Sequence, residues 1–143
     1  MAKSKLFEFL PHTADVKFKL YGKSLNEIFS NCALAVSHII SRGKKIKSVK
    51  RKEFTVSGKD YESLLYNFID ELIYLLDADN FVLSRADTKL FDGLNAKKIN
   101  AVVYGDDASV YKDLDAIKSP TYAEMYIKKK KDKTWEAQVV VDV

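Results

Sequence analysis

Three carboxylates at the ends of predicted elements are the residues with the most potential for chemistry in this sequence. Asp15 opens a predicted strand, Asp60 begins a predicted helix, and Asp142 is the next-to-last residue. Carboxylate oxygens suit hard divalent cations such as calcium, magnesium or manganese. Drawn together by the fold, the three would form a site for one cation, but their spacing along the chain does not establish that they converge.

Each carboxylate also has a simpler structural explanation. Asp60 is a natural helix N-cap, Asp15 could cap or turn the chain, and Asp142 could be a strand end facing solvent. A helix N-terminus repels cations, and the side chain that caps it uses an oxygen to accept hydrogen bonds from backbone N–H groups. Both points argue against Asp60 as a ligand. A bidentate carboxylate could nevertheless do both, so both interpretations stay open.

Motifs for conventional catalysis are missing. The sequence has no Gly-rich phosphate loop, no G-x-S-x-G context and no HExxH pair. His12 and His38 are the only histidines, which excludes a multi-histidine metal site, and Cys32 is the only cysteine, which excludes an intramolecular disulfide or a zinc-thiolate cluster. Cys32 falls at a helical core position and is interpreted as packing. The sequence therefore predicts a protein that is not an enzyme.

Composition sets broad limits on the kind of protein. The 143 residues have the length of one domain, residues 1–143, and 47% hydrophobic residues are enough to bury a core. A formal charge of +4 gives only modest attraction to nucleic acid. There is no apolar stretch of about 18 residues and no signal-peptide pattern. We expect a soluble, cytoplasmic protein with no membrane partner; its oligomeric state is not indicated.

Two basic segments raise the possibility of direct RNA binding. Residues 42–52 carry seven positive side chains, and residues 128–133 are almost entirely lysine. The simpler interpretation is a solvated loop leading into a strand for the first and an exposed hairpin turn for the second. Direct binding would weaken steeply with salt, because each phosphate contact releases counterions.

The elements that must position these residues follow from periodicity. Ser24 caps a first helix with an apolar stripe that ends near Gly43, and a second helix follows Asp60. Alternating or β-rich segments predict the strands, at residues 5–10, 14–21, 49–57, 81–91, 97–105, 120–128 and 134–143. The last two form a hairpin, and residues 105–118 are predicted as a loop. The fold class is α+β, with two amphipathic helices packed on a largely antiparallel multi-stranded sheet.

Three segments carry a family resemblance across nearly the whole chain. They are "PHTADVKFKLYGKSLNEIFSNCALAV", "SGKDYESLLYNFIDELIYLLD" and the closing "WEAQVVVDV". In this order they resemble the archease family. The resemblance implies an archease-like fold and an accessory protein of the GTP-dependent RtcB-type RNA ligase, which joins 2′,3′-cyclic-phosphate or 3′-phosphate ends to 5′-hydroxyl ends, chiefly of split tRNA exons. Such a protein cofactor promotes formation of the ligase's covalent guanylate and allows repeated turnover, so tRNA is contacted indirectly, through the ligase.

The resemblance also implies site residues. The metal-binding carboxylates of the family fall on Asp15, Asp60 and Asp142, which implies a divalent metal ion, calcium, magnesium or manganese, as cofactor. A family segment of the form K-x-x-T-Y-H is present from Lys118, but Ala123 stands in place of its histidine. Lys118 and His12 are the predicted contacts to the partner, and a simple solvated lysine is the alternative for Lys118.

Two other functions remain open at this point. One is a chaperone-like binding module for a tRNA methyltransferase or another RNA-processing enzyme. The other is direct RNA binding by the two basic segments. Loss of Asp15 or Asp142 should abolish ligase activation but should be tolerated by a chaperone.

Overall fold

The computed structural model describes residues 5–12 and 14–143. Within them the chain forms seven strands, two α-helices and one short 3₁₀ helix, which is Ala108–Val110. In chain order the long elements are β1 Phe7–Leu10, β2 Val16–Gly22, α1 Leu25–Ser41, β3 Lys50–Gly58, α2 Tyr61–Asp79, β4 Phe81–Asp92, β5 Lys97–Asp107, β6 Ser119–Lys129 and β7 Trp135–Asp142. Neither long helix contains an apolar stretch sufficient to cross a bilayer, as far as the described residues extend.

The strands form two antiparallel sheets. One has the order β1-β2-β7-β6 and the other the order β3-β5-β4. The predicted α+β class, with two amphipathic helices on antiparallel strands, is confirmed, but the strands divide into two sheets instead of one. Local alternation identifies a strand and its buried face, whereas the choice of partner strands depends on long-range packing.

The helices begin and end where local chemistry predicts. Ser24 caps α1 by accepting a hydrogen bond from the backbone N–H of Glu27 at 3.2 Å, and Arg42 closes the helix in the left-handed conformation. The apolar stripe of α1 is buried as predicted, with Cys32 fully inside the core. Burial raises the pKa of the Cys32 thiol, which therefore stays protonated and acts as a packing group.

The two helices join the sheets through one core. α1 packs on β2 and β4, and α2 packs on β3 and β6, so each helix contacts a strand from each sheet. Phe68 lies at the centre of this arrangement. Its ring centroid is 5.4 Å from that of Phe29 and 5.9 Å from that of Phe54.

The β6–β7 hairpin is confirmed, with a shorter turn than predicted. Lys129 still pairs with Trp135, and the backbone N–H of Lys130 donates to the carbonyl of Thr134 at 2.7 Å. The register of β6 shifts between Thr121 and Tyr126, and Glu124 within this irregular stretch has a φ of 55°. This bulge directs the chain out of the regular ladder and sets the position of Glu124.

Candidate functional site: a polar corner of the four-stranded sheet

Asp15 and Asp142 meet at one corner of the four-stranded sheet. Val16 of β2 pairs with Val141 of β7, Asp15 directly precedes the first, and Asp142 directly follows the second. The antiparallel register therefore places the two carboxylate residues side by side. The backbone N–H of Lys118 donates to the carbonyl of Asp142 at 2.8 Å, which brings the start of β6 to the same place.

Three further side chains complete this corner. Glu124 accepts hydrogen bonds from Lys17 Nζ at 3.1 Å and from His12 Nε2 at 3.2 Å. The other ring nitrogen of His12 lies 3.9 Å from a carboxylate oxygen of Asp15. We refer to His12, Asp15, Lys17, Lys118, Glu124 and Asp142 together as the β2–β7 corner.

Local backbone features turn the chain into this arrangement. Ala14, just before Asp15, has a φ of 65°, a left-handed conformation that redirects the chain before β2. On the facing side, Thr121 Oγ1 donates to the carbonyl of Val140 at 2.7 Å, and Gln138 Nε2 donates to the carbonyl of Glu124 at 2.8 Å. These bonds hold the bulge of β6 against β7. Thr13 of the predicted motif lies outside the described residues.

The charges at the corner are unequally compensated. Lys17 and then His12 hydrogen-bond to Glu124 and hold the pKa of its carboxyl below the ordinary value, so Glu124 is ionised. Asp15 has only the longer approach of His12, and Asp142 makes no ion pair among the described residues. Asp15 and Asp142 are therefore the two carboxylates of the corner without a close cationic partner among the described residues.

Among the described residues, no hydrogen bond or ion pair links Asp60 to this corner. The ring of Tyr61, the next residue, lies 6.0 Å from the ring of Trp135, the first residue of β7. Asp142 is the last residue of that strand, and seven strand residues span about 23 Å. Among residues 5–12 and 14–143, no three histidine, cysteine or acidic side chains lie close enough together to hold a metal ion.

Asp60 instead caps α2. Its Oδ1 accepts a hydrogen bond from the backbone N–H of Ser63 at 2.7 Å, and the Ser63 hydroxyl accepts one from the backbone N–H of Asp60 at 3.2 Å. The bond from the Ser63 backbone is the main reason that the pKa of Asp60 is lowered. This reciprocal capping box is worth about 1 kcal/mol to a helix.

Substitution of Asp60 separates its capping role from its predicted role as a metal ligand. We expect Asp60→Ala to destabilise the protein by about 0.5 to 2 kcal/mol and Asp60→Asn to cost less, because the amide oxygen still accepts the Ser63 bond. Denaturant unfolding of both variants measures this difference.

The same Asp60→Asn variant tests metal ligation in a ligase assay. The resemblance implies stimulation of an RtcB-type ligase, and we expect Asp60→Asn to retain it, since the ring of the adjacent Tyr61 packs against Trp135, at the other end of β7 from Asp142. If stimulation were lost while stability was kept, Asp60 would be a ligand after all.

The donors at the corner fit a hard cation only in part. Two carboxylates supply at most four oxygens, whereas calcium takes six to eight ligands. Magnesium commonly uses one or two carboxylates and takes its other ligands from water and phosphate. The two carboxylates of Asp15 and Asp142 therefore supply too few ligands for an enclosed calcium site and match the one or two protein carboxylates that are common for magnesium.

The basic segment at residues 42–52 is largely compensated within the chain. Ion pairs link it to neighbouring acids at Arg42–Asp115, Lys50–Asp107, Arg51–Glu53 and Lys52–Asp79. Lys44 donates to the carbonyl of Lys112 at 2.7 Å. These contacts favour the interpretation as a solvated surface segment over a dedicated RNA contact.

Sequence reasoning missed two residues of the corner, Lys17 and its hydrogen-bond partner Glu124. Glu124 lies just beyond the segment Lys118 to Ala123 that the sequence singled out, but a lone glutamate between strand residues has no distinguishing pattern. Its importance comes from the bulge, which brings it to Lys17 and His12, more than 100 positions earlier in the chain.

Comparison with known proteins identifies the family. The sequence model of the archease protein family (MTH1598/TM1083) matches residues 7–143. Two curated relatives, both named protein archease, are 35% identical, from Pyrococcus abyssi, and 37% identical, from Methanosarcina barkeri. The first alignment covers 97% of this chain and 99% of the relative, and the second covers 99% of each.

A solved structure agrees in fold over the same length. The solution structure of protein 1598 from Methanobacterium thermoautotrophicum is similar with a TM-score of 0.82 and 27% sequence identity. The match covers 96% of this chain and 99% of that one. The family match, the relatives and the shared fold all span nearly the whole sequence, and the chain belongs to the archease family.

Proposed function

We propose that this protein activates an RtcB-type, GTP-dependent RNA ligase in tRNA splicing, promoting guanylylation of the ligase and repeated turnover. Membership of the archease family supports an accessory role beside a tRNA-splicing ligase. The observation that carries the proposal is the β2–β7 corner, which gathers Asp15, Asp142, Lys118 and His12 in one place. These are all the predicted site residues except Asp60.

The corner is suited to docking on a phosphate-bearing active site. Lys118 is exposed and has no ion pair within the described residues, so its ammonium is available to a phosphate or to an acidic group on the ligase. Lys17 and His12 are already engaged by Glu124. In this proposal they hold the bulge of β6 in place beside Asp15 and Asp142.

Asp15 and Asp142 would hold the divalent ion. When bound, such an ion would offset phosphate charge during guanylyl transfer. The two carboxylates leave several coordination positions to water or phosphate, so the ion would be completed by the ligase and its nucleotide. Manganese or magnesium is therefore the proposed metal, and tight calcium binding by the isolated chain is not expected.

Transfer of labelled GMP to the ligase tests this proposal. A cognate RtcB-type ligase is incubated with labelled GTP and manganese, with and without a substoichiometric amount of this chain. We expect the chain to increase the rate at which covalent guanylate forms. An unchanged rate, together with enhanced activity or solubility of a tRNA methyltransferase, would favour the chaperone-like alternative.

A further inference from the structure

A second concave site lies at the opposite end of the four-stranded sheet from the β2–β7 corner. It is a cavity of about 300 Å³ where β2 ends and β7 begins. None of the residues of the β2–β7 corner lines this cavity, and neither does Asp60. The size is at the lower end of the range for small-molecule sites, about 300 to 1,000 Å³.

Apolar and aromatic groups form its walls. Trp135, Tyr21 and Leu6 line it. The indole is half-buried and its ring packs edge-on against Tyr61 at 6.0 Å, which fixes its orientation. The cross-strand neighbour of Trp135 is Gly22, and the space on that side is occupied by the start of α1, because a Cβ at Gly22 would lie 2.8 Å from Glu27 Cβ. Trp135 therefore presents to the cavity the part of its indole that is left exposed, in an orientation that its packing already sets.

Lysines surround this aromatic surface. Lys5, Lys23 and Lys130 line the cavity, against one acidic residue, Glu27. Lys130 Nζ lies 5.8 Å from the centre of the Tyr21 ring. Lys23 makes no ion pair among the described residues and stands directly before the cap of α1.

The other two lysines are only loosely neutralised. Lys5 is 3.2 Å from Glu8, and Lys130 is 4.0 Å from Glu136. The Lys5–Glu8 pair is exposed and the Lys130–Glu136 contact is long, and ion pairs of either kind are weak. The rim is thus positively charged and the floor is aromatic, which is complementary to a ligand with a flat ring and an attached phosphate.

We propose that this cavity binds one phosphorylated nucleoside, with the base against the exposed part of Trp135 and the phosphate near Lys23 and Lys130. Stacking on aromatic side chains accepts any base, and lysine ammonium groups act as point charges for phosphate. The small volume accommodates one nucleotide, supplied either free or as part of an RNA strand. Binding requires this chain alone, so the proposal does not depend on activation of a ligase.

The single tryptophan makes the test direct. Trp135 is the only tryptophan in the sequence, so its fluorescence and its indole N–H signal in NMR report on this cavity alone. Both are followed while GMP, AMP, guanosine, inorganic phosphate or a short single-stranded RNA is titrated, with excitation where nucleotides absorb little. We expect saturable quenching by the phosphorylated nucleosides or the RNA, and much weaker effects of guanosine and of phosphate alone.

The variants Lys23→Met and Lys131→Met form a matched pair. Both remove one exposed lysine, but only Lys23 lines the cavity. We expect Lys23→Met to weaken binding by about tenfold, because a charge-assisted contact is lost, and Lys131→Met to change it little.

The outcomes of these titrations identify the source of the bound nucleotide or reject the proposed binding site. Quenching by RNA but not by free GMP or AMP would identify the nucleotide of a strand as the ligand. Equal binding of guanosine and GMP, equal losses in the two lysine variants, or unchanged Trp135 signals with all phosphorylated probes would each overturn the proposal.

Discussion

Asp142→Ala is expected to lose most of the stimulation of an RtcB-type RNA ligase at limiting manganese while the variant keeps its fold. Asp142 is one of the two carboxylates at the β2–β7 corner without a close cationic partner among the described residues, and the proposed function makes it a metal ligand. Its neighbour Val141 carries the buried contact on the opposite face of β7, so removal of the carboxylate opens no core cavity. Loss of one of two carboxylate ligands should weaken metal affinity by at least about tenfold.

A manganese titration of ligase turnover measures this effect. Asp87→Asn is the matched control, because Asp87 is an exposed carboxylate on β4 of the other sheet, and its pairing with Arg85 is a surface contact of little energetic value. After equal thermal stability is established, Asp142→Ala should need more manganese than the parent, and Asp87→Asn should not. Turnover of Asp142→Ala that matched the parent at every manganese concentration would remove the carboxylate from the mechanism.

Phe68→Ala is expected to lower the free energy of unfolding by about 3 to 5 kcal/mol. Phe68 is fully buried, and its ring contacts those of Phe29 and Phe54 where α2 meets α1 and β3. Truncation removes this contact and leaves a cavity that the surrounding elements fill only in part.

Urea midpoints compare this variant with an exposed position on the same helix. Tyr74 is 56% exposed, so Tyr74→Ala should cost far less than Phe68→Ala. Similar midpoints for the two variants would mean that the buried face of α2 is assigned incorrectly.

The helices and most strands could be predicted because their signals are local. The Ser24 and Asp60 caps, the apolar stripes and the alternation of strand residues each depend on neighbours within a few positions. For the same reason, the burial of Cys32 and the β6–β7 hairpin followed from the sequence. The division of the strands into two sheets depends on pairings such as Lys50 with Gly105, which local periodicity does not encode.

The candidate site could be predicted only in part. The resemblance identified Asp15, Asp142, Lys118 and His12, and the register of β2 with β7 brings the two carboxylates together. The resemblance also named Asp60, for which no hydrogen bond or ion pair with the corner is present among the described residues; its position depends on the packing of α2 along β6.

Glu124 marks a second limit of the sequence prediction. It reaches His12 and Lys17 only because β6 leaves its regular register, and the residue itself adopts a left-handed conformation that is uncommon outside glycine. A bulge of this kind depends on tertiary contacts, here the bonds from Thr121 to Val140 and from Gln138 to Glu124.

The number of RNA molecules sealed per ligase molecule tests the central claim most directly. A cognate RtcB-type ligase is given excess RNA with cyclic-phosphate and 5′-hydroxyl ends, GTP and limiting manganese, with or without this chain. The proposed function predicts many more seals per ligase with the chain than without it, together with loss of that gain for Asp142→Ala. Equal numbers of seals with and without the chain would contradict the account.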